Sequence, residues 1–294
     1  MLSGASHHKT HWRHYGSSTS IADFNNRNVS SALNNDNSNT VNETKTKSKI
    51  KSPIGLKQLF DEESSTYTYL LWDECTRDAV LVDPVDTQVD RDLEEASSLD
   101  LNLIYAINTH AHADHITGTG ILKKRVPGLE SVISRASGAV SDRFISHGDT
   151  IYFGNQHHLI VRATPGHTLG CVSLVSSDES FVLTGDTLLI QGCGRTDFQG
   201  GSSEALWDSV HTQLFSLPST TVVYPAHDYK GRTHSTIGAE RVTNPRLGGG
   251  DRSKQEFVEL MNQLNLPYPK KLDVAVPANM RCGVQDEEND DDDR

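Results

Sequence analysis

The sequence predicts an α/β fold of the αββα sandwich type, with two β-sheets packed face to face and helices on the outside. Three observations predict it. Short runs rich in β-branched, aromatic and Leu residues come in two groups along the chain, with helical patterns between and after them. The large apolar residues are concentrated in the middle of the chain, so the overall hydrophobic fraction of 35% understates the core available there. Four of the runs end beside a histidine or an aspartate, three of them with Gly or Pro close by, as strands that end along one edge of a sandwich would.

The elements follow in order. Order is expected to begin near Ile54, with strands over 66–72 and 79–83. A helix is predicted over 90–100, where Leu93, Ala96 and Leu99 share one face. An apolar strand over 103–108 precedes a helix over 116–125 that ends before Pro127. Further strands are predicted over 131–134, 150–153, 159–163, 171–175 and 181–184. Segment 203–217 reads as one helix, capped by Ser202 or Ser203, faced by Leu206, Val210 and Leu214, and stopped by Pro218. A strand over 221–224, a helix over 253–264 and an irregular C-terminal segment complete the reading.

The ends differ from the middle. Residues 1–52 are dominated by Ser, Asn, Thr, His and Lys, and such a stretch buries too little surface to offset its ordering entropy. It is read as a disordered extension. The absence of acids before Asp23 fits an organelle transit peptide, hence a mitochondrial location, with the cytoplasm as the alternative. One catalytic domain is expected over 53–285, followed by an acidic tail over 286–294. That tail carries a net −6, half of the formal −12, so the acidity says little about what the folded part binds. No basic stripe points to nucleic acid, and no apolar run is long enough to span a bilayer. Cys75, Cys171, Cys193 and Cys282 form no CxxC pair, which favours free thiols.

The sharpest feature is Thr109-His110-Ala111-His112-Ala113-Asp114-His115, which places four potential ligands within six residues. The chain has 14 histidines, so three in six positions is a strong departure from chance. A solvated His-rich loop is the plainer alternative, but the run directly follows a predicted strand. His167, Asp186 and His227 repeat that placement after strands 159–163, 181–184 and 221–224. Imidazole and carboxylate suit Zn(II), Fe(II) or Mn(II), and the lack of thiolates argues against a closed structural zinc.

These residues resemble the signature of the metallo-β-lactamase superfamily over about 54–282, which implies the metallo-β-lactamase fold. The run from Asp186 to Phe198 is similar to the persulfide dioxygenase branch. So are Tyr224-Pro225-Ala226-His227-Asp228-Tyr229-Lys230-Gly231 and Val276-Pro277-Ala278-Asn279-Met280-Arg281-Cys282-Gly283. Glyoxalase II has a comparable Gly-Cys-Gly-Arg segment. It continues differently where this chain has Thr196-Asp197-Phe198, and it carries a larger helical domain after the last histidine.

The resemblance implies one Fe(II) per chain held by His110, His167 and Asp186, with His112, Asp114, His115 and His227 around it. It implies oxidation of glutathione persulfide by O2 to sulfite and glutathione, and a homodimer. Arg195, whose planar fork fits a carboxylate, is expected to bind substrate together with Tyr229 and Lys230. The alternative for Arg195 is an ion pair with a nearby acid. The residues alone leave iron and zinc open, because all seven groups that could hold two zinc ions are present. A dizinc hydrolase of S-lactoylglutathione is therefore the first rival function. A non-catalytic interaction protein is the second.

Overall fold

The computed structural model describes residues 54–155, 157–250 and 252–284. The expected N-terminal extension, its transit-peptide reading and the acidic tail fall outside these residues.

The first sheet is laid down by β1 (Gly55–Asp61), β2 (Thr66–Trp72), β3 (Asp78–Val82), β4 (Asn102–Asn108), β5 (Glu130–Ser134) and β6 (Arg143–Ile145), hydrogen-bonded in that order. The pairs β1–β2 and β2–β3 are antiparallel, and β3 to β6 run parallel. The parallel crossovers carry α1 (Val89–Ser98) and α2 (Thr119–Arg125). The second sheet holds β7 (Thr150–Phe153), β8 (His157–Ala163), β9 (Val172–Ser176), β10 (Phe181–Gly185), β11 (Val222–Pro225) and β12 (Ser235–Thr236). Only β10–β11 is parallel, and α3 (Ser203–Ser209) lies in its crossover. Helices α4 (Ile237–Thr243), α5 (Lys254–Asn262) and α6 (Leu272–Asn279) follow.

Alternation along the strands builds three cores. Tyr69, Leu71, Val80 and Val82 of the first sheet meet Leu159, Val161, Leu174 and Leu183 of the second in the central core. Their neighbours Leu70 and Leu81 point the other way, towards Val89 and Ala96 of α1 and Leu122 of α2. On the second sheet, Val175, Val182 and Val223 face Leu206, Ile237, Phe257 and Met261. Each fully buried Leu or Val in these layers contributes about 1.5–3 kcal/mol. The result is the predicted αββα sandwich.

Some boundaries differ from the sequence reading. The expected helix over 203–217 is α-helical only to Ser209 and then widens into a π-helical turn, Val210–Leu214. There Phe215 N–H reaches back to Val210 O at 2.8 Å, and His211 Nδ1 donates to the Trp207 carbonyl at 2.9 Å. That side chain competes for an acceptor of the ladder. The C-terminal segment, expected to be irregular, forms α6 despite Pro277 within it.

Asp92 on α1 is fully buried. One oxygen accepts from Arg91 at 2.8 and 3.0 Å, and the other has no hydrogen-bond partner. Burial outweighs Arg91 and pushes its carboxyl up to about 6. The folded chain then holds a proton that the unfolded chain has lost between about pH 4 and 6, so this group's contribution falls as pH rises through that window. Asp92→Asn is expected to gain stability relative to the parent across it, by up to about 3 kcal/mol above pH 6. Urea unfolding at pH 4 and pH 8 checks this; a stability difference independent of pH would refute it.

Candidate metal centre

Four strand ends deliver the site. The strand β4 ends at Asn108 and releases the loop that carries His110, His112, Asp114 and His115. The ends of β8, β10 and β11 lead into His167, Asp186 and His227. The register of the parallel pair β10–β11 sets Gly185 against Pro225, so Asp186 and His227 leave from the same edge. Gly185 turns at φ +52, where a Cβ would meet the Thr109 hydroxyl at 2.7 Å. Gly194 lets the chain pass under the site, because a Cβ there would lie 2.5 Å from the Asp186 carbonyl and 2.9 Å from the His167 ring.

All seven predicted groups come together. Ligand-type atoms of His110, His167 and Asp186 lie within 4.8 Å of one another, and so do those of His112, Asp114 and His227. His167 Nε2 is 3.6 Å from Asp186 Oδ2, and His227 Nε2 is 3.6 Å from Asp186 Oδ1 and 3.5 Å from Asp114 Oδ2. The His112 ring lies between those of His110 and His115, tilted by 47° and 39° to them, with centroids at 4.0 and 4.3 Å.

Outer partners fix which nitrogen of each ring faces inward. Asp83 is buried beneath the loop and accepts from Thr109 N–H at 2.7 Å and from the Thr109 hydroxyl at 2.9 Å. That hydroxyl, having given its hydrogen to Asp83, accepts from His110 Nδ1–H at 3.0 Å. His112 donates Nε2–H to Asp83 at 3.0 Å, and His115 donates Nδ1–H to Asp114 at 3.0 Å. His167 donates Nδ1–H to the Arg195 carbonyl at 2.7 Å. His227 donates Nδ1–H to the carbonyl of Ser65, a residue held at φ +57 in the β1–β2 turn. The inward atoms His110 Nε2, His112 Nδ1, His115 Nε2 and Asp186 Oδ1 are buried and lack a hydrogen-bond partner. Buried polar atoms left in that state within such clusters of donors are what a metal ion satisfies. The donor set fits such an ion.

The electrostatics agree with that fit. Burial holds His110 well below the ordinary imidazole range, so it is a neutral ligand at neutral pH. Burial also opposes charge on His227, but Asp186 and Asp114 outweigh it and push the ring up to about 9. Thr66 completes this wall, its hydroxyl 3.3 Å from Asp114 Oδ2 and from His115 Nδ1.

The predicted substrate groups differ in what they touch. Arg195 spends its fork on both oxygens of Asp197, each at 2.7 Å, and gives a further bond to the Pro267 carbonyl at 2.8 Å. Its guanidinium also covers the Phe198 ring at 4.5 Å. The ion pair named as its alternative role is therefore present. Tyr229 is 72% exposed and lies parallel to the His227 ring, with centroids 6.0 Å apart. Lys230 is exposed beside it. Sequence reasoning missed Asp83, Thr66 and Asn279. Two signals were available: an acid closing an apolar strand, as Asp83 closes β3, and the place of Asn279 within the run from Val276 to Gly283.

Residues 62–227 match the model of the metallo-β-lactamase superfamily. A mouse (Mus musculus) protein named persulfide dioxygenase ETHE1, mitochondrial, is 55% identical over 234 residues, covering 80% of this chain and 91% of the relative. The chain belongs to the persulfide dioxygenase family. A crystal structure of ETHE1 from Myxococcus xanthus superposes on this family member with a TM-score of 0.75 at 50% identity, covering 78% of this chain and all of that one. Cytoplasmic hydroxyacylglutathione hydrolase of Arabidopsis thaliana shares the superfamily at 32% identity, covering 72% of this chain and 82% of that relative. The fold and the family expected from the motifs are those found.

Proposed function

We propose that this chain is a persulfide dioxygenase that oxidises glutathione persulfide with O2 to sulfite and glutathione at a single Fe(II) held by His110, His167 and Asp186. The observation that carries the reading is 55% identity to a persulfide dioxygenase across nine-tenths of that relative, together with a full set of inward donor atoms. When bound, Fe(II) supplies the one-electron chemistry that O2 requires and leaves positions open for both reactants. The chain's own residues do the rest. His110 and His167 present Nε2 because Thr109 and the Arg195 carbonyl occupy their Nδ1–H groups. In the metal-free chain Asp186 and Asp114 favour a proton at His227 Nε2, which faces both carboxylates. In this reading His112, Asp114 and His115 hold water and oxygen atoms in place instead of binding metal. Persulfide, O2 and water become glutathione, sulfite and protons.

Tyr229 and Lys230 stand at the mouth and are assigned to the glutathione moiety. Arg195 would join them by exchanging Asp197, whose side chain is half exposed, for a substrate carboxylate. The name of the mouse relative supports a mitochondrial location.

The second cluster, His112, Asp114 and His227, is the specific observation that favours the rival dizinc hydrolase. Anaerobic purification, iron and zinc quantification, and O2 uptake on adding glutathione persulfide separate the two. The dioxygenase reading expects stoichiometric iron and persulfide-dependent O2 uptake with sulfite formed. Two zinc ions, no uptake and rapid S-lactoylglutathione hydrolysis would overturn it.

A further inference from the structure

The loop from Thr109 to Gly118 carries four of the seven site residues, yet it contains no helix or strand. Its backbone groups need partners from elsewhere. Asp86 N–H reaches the Ile116 carbonyl at 2.9 Å, and the Gln199 carboxamide donates to the Ala111 carbonyl at 2.8 Å. The largest share goes to one side chain at the end of α6. Asn279 Nδ2 donates to the carbonyls of both His112 and His115, each at 2.9 Å, and its Oδ1 accepts from Thr117 N–H at 2.8 Å. The side chain is only 4% exposed, and both of its donor hydrogens are spent on this loop.

The segment after Asn279 follows the same loop backbone to backbone. A Cβ on Gly283 would fall 2.3 Å from the Thr117 carbonyl oxygen, and one on Gly120 would fall 2.6 Å from the Cys282 carbonyl oxygen. Met280 O accepts from Val140 N–H at 2.8 Å, which ties the segment down on its other side. The contact therefore joins parts of the chain more than 160 residues apart, and a carboxamide sits at its centre.

We propose that Asn279 is a positioning residue of the metal centre: its carboxamide sets the backbone height at His112 and His115, so the C-terminal segment belongs to the catalytic apparatus. This rests on the reading of the loop as a metal site. The chemistry demands a carboxamide, because two adjacent carbonyl oxygens need two N–H donors from one group while an N–H needs an acceptor. Aspartate has the same shape but turns an oxygen towards both carbonyls, leaving only the Thr117 bond.

The test uses Asn279→Asp and Asn279→Ala in the full chain, reconstituted with Fe(II) for turnover and with Co(II) for its visible ligand-field bands. Partners that orient metal ligands typically account for 10–100-fold in affinity or activity. Because it shifts the backbone of the loop that also carries the ligand His110, Asn279→Asp is expected to weaken metal binding and lower kcat in that range, with shifted Co(II) bands and a KM for glutathione persulfide changed by no more than about threefold. Asn279→Ala is expected to shift the bands in the same way with smaller losses, because water can replace part of the carboxamide. If either variant melts at lower temperature but keeps wild-type affinity, spectrum and kcat, Asn279 is structural only and the proposal is overturned. If Asn279→Asp does not fold, the same readouts on Asn279→Ala decide. A wild-type chain that binds neither metal would instead overturn the reading of the site itself.

Discussion

Asp186→Ala is expected to abolish iron retention and persulfide-dependent O2 uptake together. Asp186 is the group that both halves of the site share, with one oxygen 3.6 Å from His167 and the other 3.6 Å from His227. Removing it takes away the only carboxylate of the proposed ligand triad. The loss should exceed the roughly 100-fold that removal of an outer partner costs. The metal-free chain should lose less, because Asp186 Oδ1 has no hydrogen-bond partner and what the variant gives up there is the pairing with His167 and His227 at 3.6 Å. Thermal melts with and without Fe(II) separate these effects. Binding to the folded state alone raises the melting temperature by mass action, so the parent should gain from iron and the variant should not.

The same experiment on two neighbours tests the assignment of ligands. His110→Ala should behave like Asp186→Ala. His112→Ala should keep its iron, because His112 commits Nε2–H to Asp83 and stands outside the His110–His167–Asp186 triad. Equal loss of iron from both histidine variants would end the single-iron reading. It would leave the fold and the family untouched.

Much of the fold and the composition of the site could be read from the sequence, because both are written in local patterns. The alternation Tyr69, Leu70, Leu71 states directly that β2 serves a core on each face. The spacing of His110, His112, Asp114 and His115 announces a metal after a strand. What stayed hidden depends on distant contacts. Among the described residues strand β1 pairs only with β2, and it mixes Lys57 and Gln58 with its apolar residues, so it lacks a clear period. Strands β6 and β12 are three and two residues long, too short to show one. Helix α6 was obscured by Pro277. Thr66 and Asp83 look like ordinary polar residues until folding brings them under the site, and Asn279, though part of the run from Val276 to Gly283, shows its role only when folding brings it against the loop. Arg195 shows the converse. Its sequence context suggested ligand binding, while Asp197 two residues on was equally visible and holds its fork.

Asp83→Asn is expected to leave a folded protein that binds iron poorly. Asp83 Oδ1 accepts from Thr109 N–H and from His112, and Oδ2 accepts from the Thr109 hydroxyl. An asparagine must place its oxygen at the first position, since an amide NH2 there would face two donors. The NH2 then faces the Thr109 hydroxyl, which can no longer give its hydrogen to residue 83. That hydroxyl turns and donates to His110 Nδ1, 3.0 Å away. His110 must then carry its own proton on Nε2, the atom aimed at the metal. A neutral imidazole protonated there is not a ligand. One oxygen-to-nitrogen exchange two bonds from the site thus blocks a ligand without creating a cavity. Iron affinity should fall by about 10–100-fold. The loss should be smaller than for Asp83→Ala, which strands the buried donors of Thr109 and His112 and should also destabilise the fold by about 3–5 kcal/mol. Nitrogen-15 NMR of the histidine rings in the metal-free chain reads the tautomer directly. A His110 ring that still carries its proton on Nδ1 in Asp83→Asn, with iron affinity unchanged, would show that Thr109 does not transmit the charge of Asp83 to the ligand.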